Sequence, residues 1–334
     1  MSVRPFAPSW RISARPMSCI ALLVADGPVR EIASAEAAAY VGPGFVWIHI
    51  DDGDPEDLAS LKGQGDIPDI AANALVATET RPRCDRIEHG ALVNLRGPAV
   101  VETDDSDRLV SIRLWVRQGK VNSVTRRPLA ATSVVRAHME DEKVRDPGDL
   151  VAAFARAIST QLDPEVADLG DTLDECESGL DPHEIYRLRT RIAQIRSDAI
   201  AYRRFVAPNR DALTTLAHLD FEWLEEEDRL HIREAADRFA RMTEELEAVR
   251  ERAALLHEQI TDLRGEQMEA RSLYISVVAF IFLPLTFITG LLGMNVAGIP
   301  YAEEPWAFWG VVGICILIGL LVLAYFARIH WLRR

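Results

Sequence analysis

Two long uncharged segments near the C-terminus constrain this chain more than any other feature of its sequence. Leu273–Leu292 has twenty residues and Trp306–Ala327 has twenty-two, and neither contains a charged side chain. A helix rises 1.5 Å per residue, so each segment can cross a hydrocarbon core of about 30 Å. Two buried helices of a soluble protein are the alternative, but both segments are apolar around their whole circumference. We therefore predict two membrane spans, 273–292 and 306–327.

The basic residues that flank the two spans predict their orientation. Arg264 and Arg271 precede the first span, and three arginines follow the second, namely Arg328, Arg333 and Arg334. Between them, residues 272–327 contain no Lys or Arg. Because cytoplasmic flanks are rich in these residues, we expect both chain ends in the cytoplasm, an outer loop at 293–305 and a basic cytoplasmic tail at 328–334.

The part of the chain that precedes the two spans, residues 1–272, is polar enough for a soluble portion on the cytoplasmic side. Residues 1–18 contain three arginines and three prolines but no apolar stretch of the kind found in secretory signals, so a flexible tail is expected there. The four cysteines form no C-x-x-C pair, which is typical of a reducing compartment.

Residues 19–140 alternate between strand-like and helix-like patterns. The strand-like segments are rich in Val, Ile, Leu and Trp, and they are SCIALLVADG, GFVWIHID, ALVNLRG and LVSIRLWVRQGKVNSVT. Two helix-like segments lie between them, DPEDLASLKG and PDIAANALVA. We predict an α/β domain here, followed by long helices only.

Acidic residues concentrate in the next region, 141–227, which we predict to consist of antiparallel helices. The stretch 140–184 holds fourteen Asp or Glu and three Lys or Arg, against a net charge of −14 for the whole chain. A solvated helical face is one interpretation. The other is a surface that collects divalent cations, because such ions take oxygen ligands. Four carboxylates that can share one helix face are its candidates: Asp168, Asp171, Asp174 and Glu175.

A heptad pattern predicts one long stalk helix over 228–292 that continues into the first span. Apolar residues recur with 4-3 spacing at Ala235, Phe239, Met242, Leu246, Val249, Ala253, Leu256, Ile260 and Leu263. Such a helix would be on the order of 95 Å long. It must pack against something, either the helix predicted at 183–219 or other copies of itself.

The first span carries a stripe of small or polar residues, with one leucine among them. The stripe has helical spacing and comprises Ser272, Ser276, Ala279, Leu283, Thr286 and Gly290. Two helices cannot enclose a channel, so conduction would require several copies around an axis, with this stripe lining it. A face for close helix–helix packing is the alternative interpretation.

The outer loop begins with Gly293, Met294 and Asn295 and contains Glu303 and Glu304, but no basic residue. The carboxyl end of the first helix carries a partial negative charge. In a ring of copies, these carbonyls, the Asn295 amides and the two glutamates would attract cations at the outer mouth. Because no fixed charge lies within the span, the pattern favours a cation that keeps much of its water.

The predicted pore stripe contains no zinc-type ligand. Zn²⁺ prefers Cys and His. Cys84 with His89, in CDRIEH, are the candidate ligands of a zinc site in the soluble part, with ordinary surface roles as the alternative. His257 with Glu258 is the candidate for an inner cation or proton site near the axis, with an ordinary polar stalk position as the alternative. We expect no bound cofactor and no nucleic-acid partner. Sequences typical of phosphate loops, G-x-S-x-G nucleophiles and H-E-x-x-H metal sites are missing, so an enzyme is not expected.

The Gly293-Met294-Asn295 motif, at the end of the penultimate span and after a long stalk helix, resembles the CorA family of divalent metal transporters. The continuation Val296-Ala297-Gly298-Ile299-Pro300 and the segments ETRPRC, LVNLRG, SIRLWV and TRRPL resemble the ZntB branch of that family, although Ala297 replaces the usual glycine. The resemblance implies an α+β membrane protein that forms a funnel-shaped homopentamer in the bacterial inner membrane. It also implies first spans that line the pore and zinc as the transported ion, taken up with protons.

Two other functions agree with the same residues. A Mg²⁺ or Co²⁺ channel of the same family makes nearly identical demands on the sequence. A membrane-anchored coiled-coil scaffold or sensor would explain the stalk, but it needs neither the acidic loop nor the stripe of small residues.

Overall fold

The computed structural model describes residues 19–25, 27–51, 67–78, 81–100, 108–179, 185–294, 299 and 304–332. All structural statements refer to these residues. The predicted tail at 1–18, the helix-like segment DPEDLASLKG, Asn295 and Glu303 lie outside them.

Seven strands form one mixed sheet in the N-terminal part of the chain. They are β1 (Cys19–Val24), β2 (Arg30–Glu31), β3 (Phe45–Asp51), β4 (Arg83–Ile87), β5 (Gly90–Pro98), β6 (Leu109–Arg117) and β7 (Lys120–Thr125). Their order is β2-β1-β3-β7-β6-β5-β4, and the β3–β7 pair is parallel whereas the other pairs are antiparallel. The central strand β7 is buried along its whole length, as expected for a strand covered on both faces.

Seven helices complete the described part of the chain. They are α1 (Ser34–Ala39), α2 (Asp69–Val76), α3 (Ala130–Glu140), α4 (Pro147–Ser178), α5 (Ile185–His218), α6 (Glu226–Leu292) and α7 (Pro305–Leu332). The α/β domain, the long helix and the two C-terminal apolar helices are thus confirmed. The elements that sequence patterns did not predict are β2, α1 and β4. Strand β4 reads RCDRI and lies at the sheet edge, where charged side chains replace the apolar alternation of a half-buried strand.

The sheet is packed on both faces. On one face, α2 places Ala71 and Leu75 against Ile50, Leu92 and Trp115. Helix α4 packs near the other face, where the Phe154 ring meets the Trp47 ring edge-on at 5.7 Å between centroids. Contact between α4 and β5 is close enough that a Cβ built on Gly97 would lie 2.9 Å from Ile158 Cγ1.

The chain divides into two compact units. The first holds the described residues up to Gly179 together with Thr190–Ala254, and the second holds the described residues of 185–189 and 255–332. In the first unit the predicted seam of α6 is buried, with Phe239, Leu246 and Ala253 fully inaccessible to solvent. Burial of this seam occurs within a single chain, so helices of the same chain cover it.

Ion pairs identify two of the helices that lie beside the seam. Arg252 of α6 contacts Asp174 and Glu177 of α4, each at 2.5 Å. Arg203 of α5 contacts Glu247 of α6 at 2.7 Å. Of the two partners that the heptad pattern left open, the 183–219 helix therefore lies beside this part of α6. Helix α4 is an additional neighbour that the pattern could not identify.

Candidate functional site

Both predicted spans lie on helices that are long and apolar enough to cross a membrane. The most apolar 18-residue windows of α6 and α7 have mean hydropathies of 2.4 and 2.7. The two helices touch, since the rings of Phe280 and Phe326 lie 6.2 Å apart between centroids. They form the membrane-spanning part of the second unit.

The two faces of the first apolar helix differ. On α6, half-buried residues recur along one face, at Val277, Ile281, Pro284 and Ile288. Helix α7 likewise has a row of half-buried residues, at Ala307, Val311, Cys315, Ile318 and Val322. All six stripe residues of α6 (Ser272, Ser276, Ala279, Leu283, Thr286 and Gly290) are exposed. At 100° per residue, the stripe lies roughly opposite the half-buried face. Within one chain, the stripe is therefore available to a pore or to another copy.

Hydroxyl groups in this region are oriented by the helix backbone. Ser276 Oγ donates to the Ser272 carbonyl at 2.8 Å, and Thr289 Oγ1 donates to the Leu285 carbonyl at 3.0 Å. A hydroxyl that donates to its own helix keeps its oxygen lone pairs as acceptors. The exposed face of the span thus presents neutral oxygen atoms and no fixed charge.

The first span ends at the predicted motif. Helix α6 ends at Leu292, the Gly293 amide donates to the Thr289 carbonyl at 2.9 Å, and the Met294 side chain is exposed. A Cβ on Gly293 would lie 3.0 Å from that same carbonyl, which favours glycine here. Across the loop, Glu304 is exposed and its carbonyl accepts from the Ala307 amide at 3.0 Å in the first turn of α7. An acidic residue at a helix start also stabilises that helix, so Glu304 has a structural role too.

The four acidic candidates on α4 are exposed, and two of them already have cationic partners. Asp174 pairs with Arg252, and Glu175 Oε2 lies 3.0 Å from Arg191 Nη2. Asp168 and Asp171 are exposed neighbours on the same helix. None of the four belongs to a group of three metal-ligand side chains within the described residues.

The Cys and His candidates are likewise separated from further ligands in the described part of the chain. Cys84 lies on β4 and His89 in the turn that follows it. Burial, and then the charge of Asp85, raises the pKa of Cys84 to about 12, which disfavours the thiolate that zinc binds. His257 is half-buried and Glu258 exposed on α6, and neither lies in a three-ligand group.

A carboxylate cluster that the sequence analysis missed lies in the first unit. Asp146, Asp149 and Asp228 each offer an oxygen within 4.8 Å of the others. The three side chains also accept backbone hydrogen bonds at helix starts. Asp146 Oδ1 accepts from the Asp149 amide at 2.8 Å, Asp149 Oδ2 accepts from the Arg145 amide at 2.9 Å, and Asp228 Oδ2 accepts from the Glu225 amide at 2.8 Å. The local patterns DPGD and EEED have the spacing of capping boxes and could have indicated these roles.

Burial and the neighbouring charge of Asp146 raise the pKa of Asp228 to about 7, and Asp149 shares a side-chain hydrogen bond with it. Burial also raises the pKa of Asp146. Protons therefore help to neutralise this cluster near neutral pH, and helix capping accounts for its carboxylates.

The architecture defines a class of protein: an N-terminal α/β domain, a long helix and two membrane-spanning helices at the C-terminus. Within that class, a family model described as a CorA-like Mg2+ transporter protein matches residues 42–328. This chain therefore belongs to the CorA family. The resemblance inferred from the Gly293-Met294 motif is confirmed by this match.

Relatives in the family are similar over most of their length. The zinc transport protein ZntB of Pectobacterium atrosepticum is 30% identical over 277 residues, which is 83% of this chain and 84% of that protein. The divalent cation transporter CmaX of Pseudomonas aeruginosa is 32% identical over 300 residues, or 86% and 87% of the two chains.

Two solved structures share the fold. Full-length CmaX superposes with a TM-score of 0.74 at 29% identity, covering 94% of this chain and 98% of that one. The CorA magnesium transporter of Methanocaldococcus jannaschii gives 0.77 at 18% identity, covering 94% and 99%. The latter likeness concerns the fold alone.

Proposed function

We propose that this chain transports Zn²⁺ across the bacterial inner membrane, as a ring of identical subunits, most simply the homopentamer that the CorA resemblance implies. Several copies of the first span would surround an axis with their Ser272–Gly290 stripes facing inward. The observation that carries the proposal is the position of this stripe, exposed and opposite the face that packs against the second apolar helix.

A pore of this composition suits a hydrated cation. Its oxygen atoms are neutral, so an ion can interact with them through its water shell and still leave. The relatives called zinc transport proteins support zinc as the ion.

Selection would take place at the outer mouth. Helix carbonyls at the end of α6, the Gly293-Met294-Asn295 motif, and Glu303 with Glu304 would together concentrate cations and repel anions there. Arginines flank the two spans at the ends away from this loop, and this supports an outer location for the loop.

We further propose that zinc uptake is coupled to the movement of protons. Neither span contains a carboxylate or a histidine, so a proton relay inside the membrane has no carrier. Coupling would therefore use groups outside the membrane core or hydrated ions in the pore.

A second candidate is a Mg²⁺ or Co²⁺ channel, favoured by the family description and by the absence of Cys and His from the stripe. A membrane-anchored coiled-coil scaffold is the remaining alternative, and it leaves the exposed stripe unexplained.

The decisive experiment measures zinc entry into proteoliposomes that contain a zinc-sensitive dye, with and without an imposed pH gradient. Wild type is compared with Asn295→Ala and with Ala297→Gly, which restores the glycine of the family motif in the same loop. We expect wild type and Ala297→Gly to transport and Asn295→Ala to lose most of its flux.

Each outcome distinguishes the candidates. Flux that grows with the pH gradient supports proton-coupled zinc transport. Flux that ignores the gradient and is suppressed by Mg²⁺ or Co²⁺ favours the channel. No flux from any inserted protein would overturn transport and favour the scaffold.

A further inference from the structure

A cavity lined by arginines lies in the first unit. Its volume is about 610 Å³, within the range of small-molecule sites. Six guanidinium groups line it, contributed by the segment before β4, by strands β5 and β6, by the two residues after β7 and by α5: Arg81, Arg96, Arg113, Arg126, Arg127 and Arg204. In a chain with a net charge of −14, such a local excess of positive charge is unexpected.

The described residues supply no carboxylate partner for four of these arginines. Arg113 Nη1 donates to the Leu75 carbonyl at 3.5 Å, and Arg126 Nη2 donates to the Val76 carbonyl at 2.8 Å. Arg81, Arg113, Arg126 and Arg204 form no ion pair with a described carboxylate. A carbonyl satisfies a donor but does not neutralise a charge.

The most costly of these charges is Arg113. Its side chain is 2% exposed, and its Nε has no hydrogen-bond partner among the described atoms. Burial, and then the positive charges of Arg126 and Arg96, lower the pKa of Arg113 to about 10. A buried cation beside other cations is unfavourable unless an anion joins them.

The neighbouring aromatic ring helps to orient the donors. The Arg96 guanidinium stacks on the Phe205 ring at 3.9 Å from its centroid, and Arg204 lies 5.7 Å from the same centroid. Planar guanidiniums with fixed orientation bind phosphate oxygens in pairs, and several of them together favour an anion with several charges.

We propose that this arginine pocket binds an anion that bears two or three linked phosphates, either inorganic polyphosphate or a nucleoside polyphosphate. The site is formed by the α/β domain together with helix α5, and it does not depend on which ion the membrane part transports. An anion with several charges would neutralise Arg113, Arg126 and Arg204 together, whereas a single carboxylate carries only one charge.

Isothermal titration calorimetry tests the proposal on the full chain in detergent, at fixed ionic strength and without divalent cations, which would bind the phosphates themselves. Tripolyphosphate, ATP and adenosine are titrated separately. We expect tripolyphosphate and ATP to bind and adenosine not to bind. Equal affinities of the first two assign recognition to the phosphates, whereas tighter ATP binding adds a contribution from the nucleoside.

Two variants at the exposed rim, Arg126→Gln and Arg204→Gln, avoid disturbing the buried Arg113. Each should weaken tripolyphosphate binding about tenfold or more, as expected for loss of a charge-assisted contact. The matched control is Arg203→Gln, because Arg203 is the adjacent residue on α5 but pairs with Glu247 outside the cavity. Its affinity should remain that of wild type.

Three results would overturn the proposal. One is the absence of tripolyphosphate binding at millimolar concentration by a folded wild-type protein. Another is equal weakening by Arg203→Gln and Arg204→Gln. The third is binding that appears only in a variant whose Glu102, Asp104, Asp105 and Asp107 are changed to amides. That result would mean that these carboxylates neutralise the arginines in the wild-type chain.

Discussion

The side-chain amide of Asn209 pairs with both backbone polar groups of Arg96. Arg96 N donates to Asn209 Oδ1 at 3.0 Å, and Asn209 Nδ2 donates to the Arg96 carbonyl at 2.8 Å. Strand β5 pairs with β4 only as far as Asn94. At Arg96, no strand of the described residues lies beside the outer edge of β5. Asn209 of α5 takes the place of that missing strand and satisfies backbone groups that would otherwise be unpaired.

Asn209→Asp should destabilise the α/β domain. The carboxylate can accept from Arg96 N but cannot donate to the Arg96 carbonyl, and position 209 is fully buried. We expect a loss of about 2–3 kcal/mol, from one unsatisfied carbonyl and one buried charge. Thermal unfolding followed by tryptophan fluorescence measures it. Gln194→Ala is the control, because its amide donates to Asp198 on the exposed surface of the same helix; equal losses in the two variants would contradict the assigned role.

Gly97→Ala tests the contact between β5 and α4. The added Cβ would lie 2.9 Å from both Cγ1 and Cγ2 of Ile158, a β-branched side chain that cannot easily rotate away. We expect a loss of about 1–3 kcal/mol from overpacking. Gly170→Ala, within α4, is the comparison, because a Cβ there would lie 3.6 Å from its nearest neighbour, Glu245 Oε1. This variant should raise the free energy of unfolding by about 0.5–1 kcal/mol through the higher helix propensity of alanine. A destabilised Gly170→Ala or a neutral Gly97→Ala, in urea titrations of both, would refute this packing.

Sequence patterns predicted the elements whose signal is local. The heptad seam from Ala235 to Ile260 and the two apolar segments follow from spacing alone, and so do the strands that contain Trp47 and Trp115. Strand β4 was missed because RCDRI carries the charges of an edge strand, and its assignment depends on pairing with β5.

The sites with distant partners could not be predicted in this way. Asn209 and Arg96 are 113 residues apart, and Asp228 joins two aspartates near the start of α4. The arginine pocket likewise draws on residues between Arg81 and Arg204. Only the folded chain brings such residues together, whereas each one is an ordinary polar residue in its own segment.

The stripe proposal predicts different effects for two nearby threonines. Thr286 lies on the exposed stripe, whereas Thr289 lies about 100° around the helix from the centre of that stripe. Thr286→Val should lower zinc flux in proteoliposomes about fivefold, which corresponds to one polar contact of ~1 kcal/mol in the pore. Thr289→Val should change flux much less. A greater loss in the second variant would place the pore on another face.

The proposed orientation predicts which positions a membrane-impermeant maleimide can reach. Starting from a chain without its four cysteines, single cysteines replace Glu304 and Arg264, both of which are exposed. In right-side-out membrane vesicles, Glu304→Cys should react at once and Arg264→Cys only after permeabilisation. The reverse order of labelling would invert the assigned topology.

The cluster of Asp146, Asp149 and Asp228 predicts how stability depends on pH. The pKa of Asp228 is raised by burial from its usual 3.8 to about 7 in the folded chain. Between these values the folded state holds a proton that the unfolded state has released, so stability falls as pH rises through this window, by about 1.4 kcal/mol per pH unit at most. The raised pKa of Asp146 acts in the same direction.

Asp228→Asn should remove most of this dependence. The asparagine amide carries no charge, but it can still accept from the Glu225 backbone and donate to Asp149. Asp228 packs tightly against Gly148, since a Cβ built on Gly148 would lie 2.2 Å from Asp228 Oδ2, and asparagine has the same size as aspartate and fits there. We expect similar Tm values for wild type and variant at pH 5, and a variant Tm several degrees higher at pH 8. Asp211→Asn, at an exposed ion pair with Arg210, is the control and should follow wild type throughout. Parallel Tm profiles for wild type and Asp228→Asn would mean that this carboxyl is already ionised in the folded protein, with its charge balanced in another way.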